Sequence, residues 1–138
     1  MGVIADHIYV NLPVKDLQKA IDFFTQIGFE FNEQFTDENA TCRVINDNIF
    51  AMLLKEAFFQ TFTKKEIADA SKSTEVIVAL SADSREKVDE LVNKAFAAGG
   101  TPANDPMDHG FMYSGSFHDL DGHLWEVLYM DPTAVNQG

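Results

Sequence analysis

The chain has 138 residues, a hydrophobic content of 46% and a formal net charge of −12 at pH 7. This length predicts one domain, or two half-domains that share a core, and the twelve phenylalanines supply ample apolar volume. Because nucleic acids bind clusters of Lys and Arg, a chain this acidic is not expected to bind them, and it would favour cationic ligands.

Features of the cellular environment can also be read from the sequence. The single cysteine, Cys42, excludes an internal disulfide and favours the reducing cytosol. Residues 1–6 lack the basic and apolar regions of a signal peptide, and no apolar run approaches the roughly 20 residues of a membrane-spanning helix. We therefore expect a cytoplasmic protein with no membrane attachment.

The first half of the chain begins with a strand and a helix. Residues 7–13 alternate between aliphatic and polar side chains, which predicts a β-strand with one face toward a core. Its polar face carries His7, Tyr9 and Asn11. Asp16 then marks the start of a helix whose apolar residues recur at helical spacing, and Gly28 is its expected end.

Three strand-like stretches and an apolar segment follow this helix. The stretches cover 29–35, 41–45 and 49–54, and an Asn-Asp-Asn hairpin turn joins the last two. In the segment 57–73, the run Thr63-Lys-Lys-Glu66 has the pattern of a capping box and predicts a short helix. We interpret this segment either as a flap over a site or as packing between the two halves.

The second half repeats the same order of elements. A strand at 75–82 leads into a helix with N-cap Ser84 that ends at Gly99-Gly100. The buried stripe of this helix is expected to be Val88, Leu91, Val92, Ala95 and Phe96. The remaining elements are a weak strand at 101–108, a strand at 111–117, a turn at 119–123 and a strand at 124–130.

Two copies of one β-α-β-β-β unit thus account for nearly the whole chain, with a first module at 5–56 and a second at 74–130. One helix and one open sheet cannot bury both faces of the sheet. The surface between the halves is therefore the natural place for a site.

Glu126 is the unusual residue of the last predicted strand, since it is a carboxylate placed between the apolar residues Trp125 and Val127. A carboxylate there is costly to bury unless it is paired, protonated or bound to a metal. One interpretation is an ion pair, with Arg43 as partner, or plain exposure to solvent. The other is a functional carboxylate.

His7 and Glu75 occupy equivalent positions in the two copies. Counting alternate residues along its own strand places Arg43 on the same polar face. If the first strands of the copies are neighbours, His7 and Glu75 either hydrogen-bond each other or take part in metal ligation or acid–base work. The other histidines are expected in surface turns or loops. The candidate ligand-binding residues are His7, Tyr9, Asn11, Arg43, Glu75 and Glu126.

Two segments resemble signatures of the vicinal oxygen chelate superfamily, which includes glyoxalase I, extradiol dioxygenases, fosfomycin-resistance proteins and bleomycin-binding proteins. The stretch 14–29 resembles its first-helix signature, and Asp119-Leu-Asp-Gly-His-Leu-Trp-Glu-Val127 resembles its closing strand. The resemblance implies a single α+β domain over 1–138. In this fold, typical of glyoxalase, bleomycin resistance and dihydroxybiphenyl dioxygenase proteins, two βαβββ modules form a cup-shaped mixed β-sheet, often in a homodimer.

Metal-dependent members of that superfamily place ligands on the first strand of each module and on the last strand. The resemblance puts Tyr9, Ile77 and Glu126 at these positions, and Ile77 cannot be a ligand. A shifted set of His7, Glu75 and Glu126 is displaced by roughly 6–7 Å along the first strands. We therefore expect no bound metal, and His7, Glu75 and Glu126 as the ligands if one is present.

Two functions follow from this resemblance. The first is a protein that binds a small organic molecule in the cup of the sheet, with an incomplete metal site. The alternative is a metal-dependent lyase or an extradiol-type dioxygenase. It would use Fe, Mn, Ni or Zn to polarise the substrate, with Glu126 as the catalytic carboxylate.

Overall fold

The computed structural model describes residues 2–135, which fall into two compact units divided after Ala68. The N-terminal unit contains β1 (Ile8–Val14), α1 (Leu17–Ile27), β2 (Glu30–Asn32), β3 (Ala40–Val44), β4 (Ile49–Lys55) and the short α2 (Glu56–Phe59). Its strands lie in the order β1-β4-β3-β2, with β1 parallel to β4 and the other pairs antiparallel.

The C-terminal unit repeats this topology. It contains β5 (Ile77–Ser81), α3 (Arg85–Ala97), β6 (Thr101–Pro102), β7 (Met107–Asp108), β8 (Met112–His118), β9 (Leu124–Met130) and the short α4 (Pro132–Val135). The order is β5-β9-β8-β6, β7 also pairs with β8, and β5 is parallel to β9. The predicted α+β fold with two βαβββ units is confirmed.

The long helix of each unit begins and ends where the sequence predicts. The Asp16 carboxylate accepts a hydrogen bond from the Lys19 amide (3.1 Å), and Gly28 closes α1 at φ +120°, where its amide bonds to the Phe24 and Thr25 carbonyls. Ser84 caps α3 in the same way through the Lys87 amide. Both helices bury an apolar stripe against their own sheet.

Close packing of α3 on its sheet depends on Gly115 in β8. A Cβ atom at this position would lie 3.0 Å from the Val92 Cγ2 atom and 3.3 Å from the Val88 Cγ1 atom. Val88 and Ala95 are buried, but Phe96 is 37% exposed because it lies one position further around the helix. The prediction that Phe96 belongs to the buried stripe is therefore wrong.

The segment after β4 differs from the prediction. Helical structure precedes Thr63, in α2 and in a 3-10 turn at Gln60–Phe62, and no helix starts at 63–66. The Thr63 hydroxyl accepts a hydrogen bond from the Lys65 amide, two residues on, and the Gln60 side chain donates to the carbonyls of Thr63 and Lys65. These local bonds occupy groups that a helix would use.

The predicted strand at 29–35 is also shorter than expected. β2 ends at Asn32, whose side chain accepts a hydrogen bond from the Gln34 amide and starts a 3-10 turn over Glu33–Phe35. None of the described helices is both long and apolar enough to cross a membrane.

Candidate ligand-binding site

Each sheet has a proximal face, which packs on the unit's long helix, and a distal face, which points away from that helix. Strand register assigns residues to these faces, since directly paired residues share a face. In the N-terminal sheet, Tyr9 pairs with Phe50, and Asn11 pairs with Met52. These four side chains lie on the distal face, as predicted for Tyr9 and Asn11.

An aromatic cluster of His7, Tyr9 and Phe50 stands on this distal face. The ring centroids are 5.2 Å apart for Tyr9–Phe50, 6.1 Å for His7–Phe50 and 6.3 Å for His7–Tyr9, and the ring planes are within 14° of parallel. His7 and Tyr9 are exposed. Phe50 is half-buried, so the stacked cluster exposes aromatic surface mainly from His7 and Tyr9, which suits a planar or cationic group. Phe50 was missed by the sequence reasoning because only the β1–β4 register brings it beside Tyr9.

Asn11 and Cys42 continue the same face along the strands. Asn11 is exposed and adds an amide near the aromatic cluster, whereas Cys42, opposite Met52, is buried. Burial raises the pKa of the Cys42 thiol above its ordinary value, so the thiol stays protonated at neutral pH.

Arg43 does not lie on the distal face, and this prediction is wrong. It pairs with Ala51 in the row that faces α1, and its side chain is 0% exposed. The guanidinium carbon lies 4.1 Å from the Phe24 ring centroid and 3.7 Å from that of Phe29. Arg43 is therefore a core residue held by cation–π contacts.

Glu126 lies at the centre of β9 on the distal face of the C-terminal sheet. Trp125 and Val127, on the proximal face, are buried, while Glu126 is half-buried. Its neighbours across the sheet are the small residues Ala79 and Ser116. The Glu126 carboxylate forms no hydrogen bond or ion pair within the described part of its unit, 69–135.

Ser116 cannot serve as that partner because its hydroxyl is already engaged. It accepts a hydrogen bond from the Asn104 amide (2.9 Å) and donates one to the Asn104 carbonyl (3.2 Å). The other cross-strand neighbour of Glu126, Ala79, is exposed and offers no side-chain donor.

Glu75 lies in an exposed bend before β5, since the strand begins at Ile77 rather than at the predicted residue 75. Glu75 and His7 belong to different units, and the predicted pair between them stays a prediction.

The turn that precedes β9 fixes the position of the Glu126 strand. One Asp119 carboxylate oxygen accepts hydrogen bonds from the amides of Asp121 (2.9 Å) and His123 (3.0 Å), and the other accepts one from the indole N–H of Trp125 (2.9 Å). Gly122, at φ +91°, lies against the backbone of 70–71, where a Cβ atom would come within 2.8 Å of the Ala70 carbonyl oxygen. His123 is consequently 9% exposed, so its predicted surface position is wrong.

A divalent metal does not fit the donor set at the family's positions. Tyr9 offers a phenol, Ile77 offers no donor atom, and only Glu126 offers a carboxylate. Over residues 2–135, no three His, Cys, Asp or Glu side chains lie close enough to hold an ion.

A cleft of about 430 Å³ lies elsewhere in the N-terminal unit, at the start of α1. Its lining includes Lys15, Asp16, Asp37 and Lys55, and it contains none of the predicted site residues. Asp16 and Asp37 are engaged in backbone hydrogen bonds that cap the helix and a turn. The cleft is therefore explained by local structure.

Comparisons with known proteins agree with this architecture. The family model described as glyoxalase/bleomycin resistance protein/dioxygenase superfamily matches residues 5–127. A search of curated proteins gave no significant match.

Among solved structures, the chain is similar to the hypothetical protein SA1046 from S. aureus, with 29% identity, coverage of 92% of this chain and 95% of that chain, and a TM-score of 0.77. It is also similar to a glyoxalase/bleomycin resistance protein/dioxygenase family enzyme from Burkholderia phytofirmans PsJN (22% identity, 91% and 99% coverage, TM-score 0.76). A third similar structure is a mutant of the fosfomycin resistance protein FosX from Listeria monocytogenes, complexed with Mn(II) and 1S,2S-dihydroxypropylphosphonic acid (23% identity, 92% and 90% coverage, TM-score 0.64).

Proposed function

Because the chain belongs to the glyoxalase/bleomycin resistance protein/dioxygenase superfamily, we propose that it binds a small organic molecule on the distal faces of its sheets, with an incomplete metal site. The observation that carries this proposal is Glu126. This half-buried carboxylate lies on one face between Leu124 and Leu128, and it has no partner in the described part of its unit, so its oxygens are available to accept hydrogen bonds from a bound group. A cationic or hydrogen-bond-donating ligand would supply such bonds.

The aromatic cluster of His7, Tyr9 and Phe50 supports the same function. Exposed aromatic rings beside an amide are typical of surfaces that bind planar organic groups, because they combine apolar area with a few orienting polar atoms. The net charge of −12 adds a long-range attraction for cations.

We expect Glu126→Ala to keep the fold, to leave stability unchanged or raise it, and to weaken ligand binding. The carboxylate is available to a ligand, and within its own unit it has no partner that its removal would leave unpaired. The measurement is a thermal-shift screen of one library of small amines and aromatic compounds against wild type and variant.

The matched control is Glu90→Ala, which removes the same charge from α3, where Glu90 forms ion pairs with Lys87 and Lys94 (3.2 Å each). It should leave ligand responses intact. A large loss of melting temperature in Glu126→Ala with unchanged ligand responses would show that Glu126 is structural.

The alternative function is a metal-dependent lyase or extradiol-type dioxygenase. It is favoured by the position of Glu126 on the last strand and by the Mn(II) complex of the structurally similar FosX. The residues at the other two positions argue against it, because Tyr9 offers only a phenol and Ile77 offers no donor atom.

Metal analysis decides between these functions. We expect protein purified without added metal or chelator to carry no stoichiometric Fe, Mn, Ni or Zn and to show no methylglyoxal–glutathione isomerase activity. Inductively coupled plasma mass spectrometry measures the first, and an absorbance assay of thioester formation the second. Close to one equivalent of metal per chain, lost in Glu126→Gln, would make the enzyme the better interpretation.

We also propose a homodimer in the cytoplasm. The Phe62 side chain is 68% exposed and packs edge-on against Phe58, with 5.2 Å between their ring centroids, so this aromatic pair is available for a subunit contact. Light scattering at micromolar concentration should give twice the chain mass of 15.4 kDa. A monomeric mass would contradict the proposal. The free thiol of Cys42 suits a reducing compartment.

A further inference from the structure

We propose that Met107, Met112 and Met130 form an adaptable apolar subsite for the tail of an elongated ligand whose cationic head binds Glu126. This inference rests on the proposed function and names the class of ligand: a primary amine or comparable cation that carries an alkyl or aryl tail. We call these three residues the methionine subsite.

Strand register places the methionine subsite on the same face as Glu126. Met112 pairs directly with Met130, and Met107 pairs with Ser114, which stands two residues after Met112 on β8. Met130 stands four residues after Glu126 on β9, so all of them lie on the distal face. Met107 is 46% exposed, Met130 is 41% exposed, and Met112 is half-buried.

The choice of residue type indicates a binding surface. Methionine is flexible and polarizable, and it is overused on surfaces that accept ligands of varied shape. The chain has five methionines, and three of them are gathered at this end of one sheet face. The buried core of this sheet contains Phe117, Trp125 and Val127 but none of the three methionines.

The hairpin that carries two of these methionines is held in place from the proximal side. Arg85, at the start of α3, donates hydrogen bonds to the Asp108 carboxylate (2.7 Å) and to the Gly110 carbonyl (2.8 Å). The hydrogen bond from Arg85, together with one from the Gly110 amide, lowers the pKa of the Asp108 carboxyl below its usual value. The backbone of the subsite is thus fixed while its side chains remain adaptable.

The geometry sets the length of the ligand. Met130 stands four positions after Glu126 on β9, which is about 13 Å along the strand. Leu128 lies between them on the same face, with Ser114 beside it, so an apolar side chain lies on the path from the carboxylate to the methionine subsite. A ligand that satisfies both ends is a cation with a tail of about that length.

The test uses n-octylamine as the probe and methyl NMR of protein labelled at the methionine methyl groups. We expect n-octylamine to shift the Met107, Met112 and Met130 signals, n-butylamine to bind more weakly without shifting the Met130 signal, and octanoate not to bind. Glu126→Gln should weaken n-octylamine binding by about tenfold, as expected for the loss of one charge-assisted hydrogen bond.

Variants separate the subsite from general apolar binding. Met107→Ser and Met130→Ser should each weaken n-octylamine binding about fivefold, through loss of buried apolar area. Phe96→Ser, which removes an exposed apolar side chain from α3, should leave it unchanged.

Two results would overturn the inference. One is an n-octylamine response that leaves all three methionine signals in place. The other is signals that shift with protein concentration but not with the probe, which would identify the patch as a subunit contact. If compounds from the amine and aromatic library still bind in a Glu126-dependent manner while these tests fail, the proposed function stands and only the subsite is refuted.

Discussion

Replacing Asp119 with alanine is expected to lower the free energy of unfolding by about 2–4 kcal/mol. Asp119 is 6% exposed, and its carboxylate accepts hydrogen bonds from two backbone amides and from the Trp125 indole. Without it, the buried indole N–H and the turn amides lose their acceptor. Urea unfolding followed by circular dichroism measures the loss, since the only tryptophan takes part in the interaction.

Asp119→Asn provides the matched control for this prediction. Its amide oxygen can still accept the backbone hydrogen bonds, but its NH₂ group cannot accept one from the indole N–H. We therefore expect about half of the alanine effect. In a double-mutant cycle with Trp125→Phe, the asparagine penalty should shrink, because the indole donor is already absent. Strict additivity of the two substitutions would show that the indole bond contributes nothing to stability.

Arg43→Glu is expected to lower the free energy of unfolding by about 4 kcal/mol or more. The side chain is 0% exposed, and its guanidinium lies against the faces of the Phe24 and Phe29 rings. Those faces carry the negative end of the ring quadrupole, so they attract a cation and repel a carboxylate. Chemical denaturation, or insoluble expression of the variant, reports the effect.

Two further variants test the role of Arg43. Arg43→Lys keeps the charge and should lose much less stability than Arg43→Glu, although lysine stacks less well on rings. Its ligand responses should equal those of wild type, because residue 43 faces α1. Arg85→Gln provides a comparison at a more exposed position, because the Arg85 guanidinium also lies over an aromatic ring, that of Tyr113. A mild phenotype for Arg43→Glu would contradict the cation–π assignment.

The helices and the last strand could be predicted from sequence because their signals are local. Asp16 and Gly28 delimit α1 by their own side chain and backbone conformation, and β9 coincides with the predicted 124–130. The capping-box pattern at Thr63 is equally local but wrong, because the Gln60 side chain takes the Thr63 and Lys65 carbonyls. Local patterns hold only where nothing nearby competes for the same groups.

The face of Arg43 could not be predicted because its strand has no usable alternation. The residues of β3 from Ala40 to Arg43 are all buried, so no alternation between buried and exposed residues shows which of them face α1. The contacts that hold the guanidinium come from α1 and from Phe29, distant in sequence from residue 43. Phe50 and the methionine subsite share this difficulty, since both depend on strand register.

The parallel pairs β1–β4 and β5–β9 have a consequence for synthesis of the chain. In each unit the first strand pairs with the last, so closing the sheet requires a long loop to form before its contacts contribute. On the ribosome, β1 has no parallel neighbour until the stretch from Ile49 to Lys55 has left the exit tunnel. In the same way, β5 has none until Leu124 to Met130 have emerged. Truncation within either closing strand would therefore release a nascent chain with an unpaired apolar edge, which is the form that chaperones bind and that aggregates.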